Sequence, residues 1–141
     1  MKAVVLKRFG SGENFELVER PVPFLIPGHV LVKVHASSVN PVDFKIRQGL
    51  LPIGPDLPAV LHGDMSGEIV EVGQGVNDFR KGDSVYGCVG GFSGLPGVLT
   101  EYALVDAQLI AHKPKNLSFE EAAVLPLVAI TSWNALVDRA N

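Results

Sequence analysis

Residues 29–39 read HVLVKVHASSV, and the opening of this stretch decides the fold. Val30, Val32 and Val34 alternate with Leu31, Lys33 and His35. At the two-residue period of an extended chain, the valines face one side and the other three residues face the opposite side. Strand-like segments stand on both flanks. Lys2–Lys7 (KAVVLK) and Phe15–Glu19 (FELVE) are strand-like and are separated by a turn-rich segment, which predicts an opening hairpin. Residues 20–28 (RPVPFLIPG) carry three prolines, which cannot donate into a central sheet. Downstream, residues 67–73 (GEIVEVG), 82–88 (GDSVYGC), 99–105 (LTEYALV) and 109–112 read as further strands.

Two helical passages interrupt this pattern. Residues 41–48 (PVDFKIRQ) follow Asn40 as N-cap, with Pro41 suited to the first turn and Gly49 to the stop. A proline-rich loop follows from Leu50 to Pro58. Near the C-terminus, Ser118 stands three residues before Glu121, the spacing of a capping box. The helix it starts is expected to end near Pro126, and a second helix to run from Pro126 or Leu127 towards Asp138. The expected architecture is therefore mainly β, a partly open barrel or sandwich over residues 1–115, followed by helices over residues 116–141.

Composition narrows the function class. The 141 residues are 47% hydrophobic and 19% charged, which suits a packed domain rather than a disordered chain. Twelve basic residues are scattered among 15 acidic ones, for a net charge of -3, so no basic stripe addresses nucleic acid. Cys88 is the single cysteine, which excludes an internal disulfide and a cysteine-rich metal site. The apolar run before Lys7 is too short for a secretion signal. The stretch from Ala122 to Val137 is broken by Pro126, Thr131, Ser132 and Asn134, and is expected to dock rather than span a membrane. Cytoplasm is the expected compartment.

Ser38-Val39-Asn40-Pro41-Val42-Asp43 and Gly63-Asp64-Met65-Ser66-Gly67-Glu68-Ile69-Val70-Glu71-Val72-Gly73 are the informative segments. With Gly82-Asp83-Ser84-Val85 and Leu99-Thr100-Glu101-Tyr102-Ala103, they resemble the N-terminal, GroES-like domain of the medium-chain dehydrogenase/reductase superfamily. The stretch SFEEAAVLPLVAITSWNAL resembles the helix pair that leads from that domain into a Rossmann domain. The resemblance covers nearly the whole chain. It implies a GroES-like partly open β-barrel (residues 1–115) and a helical connector (residues 116–141) to a nucleotide-binding domain missing from this sequence.

The resemblance also implies a chemistry. Where the zinc alcohol dehydrogenases have a cysteine, this chain has Asn40, and where they have Gly-His-Glu it has His62-Gly63-Asp64. Neither metal ligand is present, so no zinc is expected. The pattern is that of the zinc-free quinone oxidoreductase branch, in which NADPH delivers a hydride to a quinone or an α,β-unsaturated carbonyl. By that likeness Asn40 and Thr131 contact the nicotinamide end of the cofactor, and Asp43 and Asp64 serve as cleft or structural residues. Asn40 is equally well explained as a helix cap, and Thr131 as a helical threonine bonded to its own backbone. Asp43 is expected in a buried hydrogen-bonding role rather than in proton transfer, and no residue is assigned as the catalytic acid. His62 stands one residue before the metal-histidine position; an offset of one reverses side-chain direction on a strand, so a structural role is expected.

Other candidates read as background. Gly73-Gln74-Gly75 lacks the third glycine and the helix of a dinucleotide fingerprint. Tyr86 and Tyr102 fit sheet positions, and Cys88 a small buried apolar one. The loops Leu50–Pro58 and Gly90–Gly97 are expected to shape a pocket for a small quinone or enone. Two rivals stand beside this: a zinc-type alcohol dehydrogenase relative with an altered metal site, and a free-standing β-barrel binding or assembly module. The apolar tail predicts self-association, with a homodimer as the expected form.

Overall fold

The computed structural model describes residues 1–140 and is mainly β. The predicted hairpin forms: β1 (Lys2–Leu6) pairs antiparallel with β2 (Phe15–Glu19), Lys2 opposite Glu19. The helix predicted after Asn40 is α1 (Pro41–Arg47). The loop after it gives way to a short strand that local pattern did not mark, β4 (Ala59–Val60), which closes on the free edge of β1. These strands make a three-stranded sheet in the order β2-β1-β4.

The second sheet is antiparallel throughout. It comprises β3 (His29–Ser37), β5 (Asp64–Val72), β6 (Ser84–Cys88), β7 (Tyr102–Asp106) and β8 (Ala111–His112), in the order β7-β3-β5-β6-β8. The two sheets touch where Val4 N donates to Leu99 O at 2.9 Å and Ala3 bridges Thr100. The barrel is thus partly open rather than closed. The last two strands depart from the sequence reading. Pairing with β3 begins at Tyr102, not Leu99, and residues 107–109 form a 3-10 turn, leaving β8 two residues long.

Strand β3 buries Val30 and Val32 and partly buries Val34, and Leu31 is buried as well. The strand lies between β5 and β7, and its pairing with β5 shifts register twice, with the extra residue on β5 after Leu31 and on β3 at His35. Gly67 faces β3 at one of these irregular points: a Cβ there would collide with the Lys33 carbonyl oxygen, so glycine is required. The main core gathers Val30, Val32, Met65, Ile69, Val85, Val98 and Val105. A second cluster of Leu6, Ile46, Ala59 and Leu61 seats α1.

The C-terminal change of pattern is real. Helix α2 (Phe119–Ala123) starts with the capping box: Ser118 Oγ accepts from Glu121 N at 3.1 Å, and Glu121 Oε2 accepts from Ser118 N at 2.8 Å. Ala122 and Ala123 are buried against the five-stranded sheet, and His35 stacks on Phe119 with centroids 4.3 Å apart. Helix α3 (Pro126–Trp133) follows and continues as a π-helical turn over Asn134–Asp138. Asn141, the end of the expected connector, lies outside the described residues.

Candidate functional site

Four elements meet at the start of α1. Asn40 is in extended conformation before Pro41, and Asn40 with Asp43 forms a capping box there. Its well-defined bond runs from Asn40 N to Asp43 Oδ2 at 2.7 Å. This leaves the Asn40 carboxamide to point elsewhere, and its Nδ2 donates to Asp64 Oδ2 at 3.0 Å. Asp64 opens β5 and is completely buried. Ser38 Oγ reaches the same Oδ2 at 3.5 Å. From the far end of the chain, the Leu127 amide donates to both Asp64 oxygens, each at 3.1 Å. Leu127 carries the first N–H of α3, because Pro126 has none. A carboxylate aimed at a helix N-terminus is the favourable polarity.

Cys88 is the cross-strand partner of Asp64. Burial, then the Asp64 carboxylate, then Asp43, push its thiol up to about 12. The residue is partly buried beside Asp64, not fully buried as its residue type suggested. Asp43 is buried, and burial raises its carboxyl above the usual range against the pull of the Asn40 amide and His62. His62 lies in the left-handed region at φ 70 and accepts or donates at Nδ1 to Ser37 Oγ, 3.2 Å away. Burial lowers its pKa, while Asp43 pulls it back up.

The metal-ligand positions of the zinc enzymes can be tested on this geometry. Asn40 offers an amide in place of a thiolate. A Cβ on Gly63 would stand 2.6 Å from the Gly90 carbonyl oxygen and 3.3 Å from Cys88 Sγ, so no imidazole fits there without moving the Gly90 loop. Among the described residues, no group of three histidine, cysteine or acidic side chains could hold a metal ion. The donor set does not fit a tetrahedral zinc.

Thr131 stands one turn into α3. Its hydroxyl donates to the Leu127 carbonyl at 2.8 Å and its side chain is exposed. With the proton committed inward, the oxygen is left as an acceptor for an amide donor. Thus Asn40, Asp43 and Asp64 are brought together, and Thr131 lies on the helix whose N-terminus Asp64 holds. The loops expected to shape a pocket do meet, through Ser93 N to Ile53 O at 2.8 Å. A further apolar groove of about 450 Å³ runs between β6, β8 and α3, lined by Tyr86, Cys88, Leu109, Ile110, Pro126 and Ile130. Sequence reasoning missed the contacts of Ser38 and Ser66, and the extent of Asp64's bonding. The available signal was an aspartate and a serine two apart on a strand whose neighbours are apolar. Among the described residues no helix is long and apolar enough to cross a membrane.

The chain matches the alcohol dehydrogenase GroES-like domain over residues 26–115. A mitochondrial NAD(P)H oxidoreductase of Dictyostelium discoideum is 39% identical over 96% of this chain and 40% of its own length. A chloroplast envelope quinone oxidoreductase homolog of Arabidopsis thaliana is 36% identical, over 100% of this chain and 43% of that protein. An alcohol dehydrogenase superfamily protein from Novosphingobium aromaticivorans superposes with a TM-score of 0.94 at 46% identity, over 99% of this chain and 42% of the other. The quinone oxidoreductase of Coxiella burnetii gives 0.91 at 37%, over 98% and 44%. The Escherichia coli quinone oxidoreductase, whose structure is a complex with NADPH, gives 0.84 at 26%, over 97% and 40%. This chain spans about two-fifths of the length of the relatives it matches. The mainly β fold and these likenesses agree: the chain belongs to the alcohol dehydrogenase GroES-like domain family, in its quinone oxidoreductase-like branch.

Proposed function

We propose that residues 1–115 are the substrate-side domain, and residues 116–141 the connector, of a zinc-free, NADPH-dependent oxidoreductase acting on quinones or α,β-unsaturated carbonyls. The observation that carries this reading is the composition of the cleft. An amide stands where a metal-binding relative would place a thiolate, and the packing of Gly63 on Gly90 leaves no room for a histidine. Asn40 and Thr131 are the residues that would hold the nicotinamide end. Asn40 is nearly buried and oriented by Asp64; Thr131 is exposed and presents an acceptor.

When bound, the nicotinamide supplies the hydride, and the protein orients and polarises. On this chain, Asn40 is fixed from both sides, by the capping box through its backbone and by Asp64 through its carboxamide. The loops 50–58 and 90–97, tied by Ser93 and Ile53, would exclude water from the substrate side. A cytoplasmic location belongs to the same proposal.

The test is oxidation of NADPH in the presence of a p-quinone and, separately, an α,β-unsaturated ketone. It is measured on the chain continued to the length of its relatives. Reduction of either class without added metal is the expected result. No turnover with either class, or turnover of simple alcohols that depends on added zinc, would overturn the reading.

A further inference from the structure

Two polar side chains on one face of β5 are completely buried: Asp64 and Ser66. Each is engaged by a different helix of the C-terminal pair. Ser66 Oγ donates to the carbonyl oxygen of Phe119, the first residue of α2, at 2.5 Å. The Asp64 carboxylate receives the Leu127 amide, the first N–H of α3. Residues two apart on a strand share a face, so the pair grips both helix starts from one side of the sheet. Asp64 also receives Asn40 Nδ2. Buried polar groups are costly unless bonded, and among the described residues no buried side-chain nitrogen or oxygen lacks a partner.

We infer that Asp64 and Ser66 form a two-point clamp that fixes α2 and α3 on β5, and that Asp64 is the positioning residue that ties the Asn40 carboxamide to the start of α3. The rest of the α3 interface is thin. α2 adds the small buried residues Ala122 and Ala123 and the His35–Phe119 stack, while α3 buries only Pro126 and leaves Val128, Ile130 and Trp133 exposed. Hydrogen bonds with fixed direction therefore set the azimuth of α3 more than apolar packing does. The consequence for catalysis rests on the function proposed above: the clamp holds Asn40 and Thr131 in one relative position. The clamp itself does not depend on that reading.

Asp64→Asn is the discriminating variant. A carboxamide oxygen at the Oδ2 position still receives Asn40 and Leu127, but the NH2 then takes the Oδ1 position, 3.1 Å from the Leu127 nitrogen, and the negative charge that favours the α3 N-terminus is gone. In the 141-residue chain, amide hydrogen exchange should quicken at Leu127 by about tenfold or more. The Asn40 side-chain amide resonances should shift, and amides of β1 and β2 should keep their wild-type rates. Ser66→Ala should loosen Phe119 and its neighbours while leaving Leu127 nearly unchanged. Asn40→Ala covers the case in which Asp64→Asn does not fold: it should quicken Leu127 severalfold, although Asn40 has no hydrogen bond to Leu127. Wild-type exchange at Leu127 in a folded Asp64→Asn chain would overturn the inference, as would an unfolded Asp64→Asn with no change at Leu127 in Asn40→Ala. None of these measurements uses cofactor or substrate. Their failure would leave the oxidoreductase reading standing, and failure of the turnover assay would leave the clamp standing.

Discussion

Asp43 and His62 sit together beneath the start of α1, and protonation of each moves stability in its own direction. His62 has a folded pKa below 6.5 because burial disfavours the imidazolium. Its contribution is therefore complete above 6.5 and is lost as pH falls through the folded value, since the unfolded chain takes the proton first. Asp43 has a folded pKa above 3.8, again chiefly through burial. Its contribution is present below 3.8 and is lost as pH rises through the folded value. The two act in opposite directions with pH and influence each other, so substitution of the histidine is what separates them. The melting temperature should fall between pH 7.5 and 5.5, and His62→Asn should flatten that slope; an unchanged slope would remove His62 as the cause. Asparagine is the suitable replacement because it tolerates the left-handed backbone found at this position. Asn40 and Thr131 call for a kinetic test in the protein continued to its relatives' length. Under the proposed function, Asn40→Ala and Thr131→Ala should each lower kcat/KM by about tenfold or more, near 1.4 kcal/mol. For Thr131, whose hydroxyl already bonds its own helix, wild-type kinetics would leave that backbone bond as its only role. Asn40 was open between cap and cofactor contact in the sequence. The structure shows why both readings were available: its backbone belongs to the cap and its carboxamide is free to bond Asp64.

The two C-terminal helices are too short to be stable alone and owe their existence to caps and docking. Helix α2 is five residues long and begins with a complete capping box. Ser118→Ala should cost about 1 kcal/mol, seen as a lower denaturant midpoint and as faster exchange at Glu121 and Ala122. Exchange unchanged at those amides would show that sheet contacts alone hold the helix. All three helix starts were legible in the sequence because caps are written within four residues: Ser118 with Glu121 for α2, and proline at the first turns of α1 and α3. The strands were legible where short β-prone runs stand between turn residues, as in β1, β2 and β6. The two-residue β4 was not, because its hydrogen bonds go to β1, which lies more than fifty residues earlier in the chain. The burial of Leu31 was not legible for a related reason. It stands outside the cluster that holds Val30 and Val32, and a central strand can be covered on both faces.

As a whole molecule, the chain presents a well-buried core beside an uncovered helix face. Val124, Val128, Ile130, Trp133 and Leu136 are each at least half exposed. Apolar surface gathered in this way is uncommon on monomers, and the chain by itself should associate. Light scattering coupled to size exclusion should report a dimer or larger species, and Val128→Glu with Trp133→Glu should return it to monomer. A monomeric wild-type chain at high concentration would refute this. Elemental analysis of protein purified without added metal should find far less than one zinc per chain; stoichiometric tightly held zinc would contradict the geometry at Gly63. What the sequence by itself determined was local and periodic: the mainly β class, the helix starts, and the residue types at positions 40 and 63. These depend on side-chain period and on residue type, which need no knowledge of distant partners. Only the tertiary structure decided that Asp64 is the junction of the site. Its partners lie 24 and 63 residues away in the chain. No local pattern encodes a bond between a strand and a helix that far apart, and a buried carboxylate acquires its meaning only from the donors that folding brings to it.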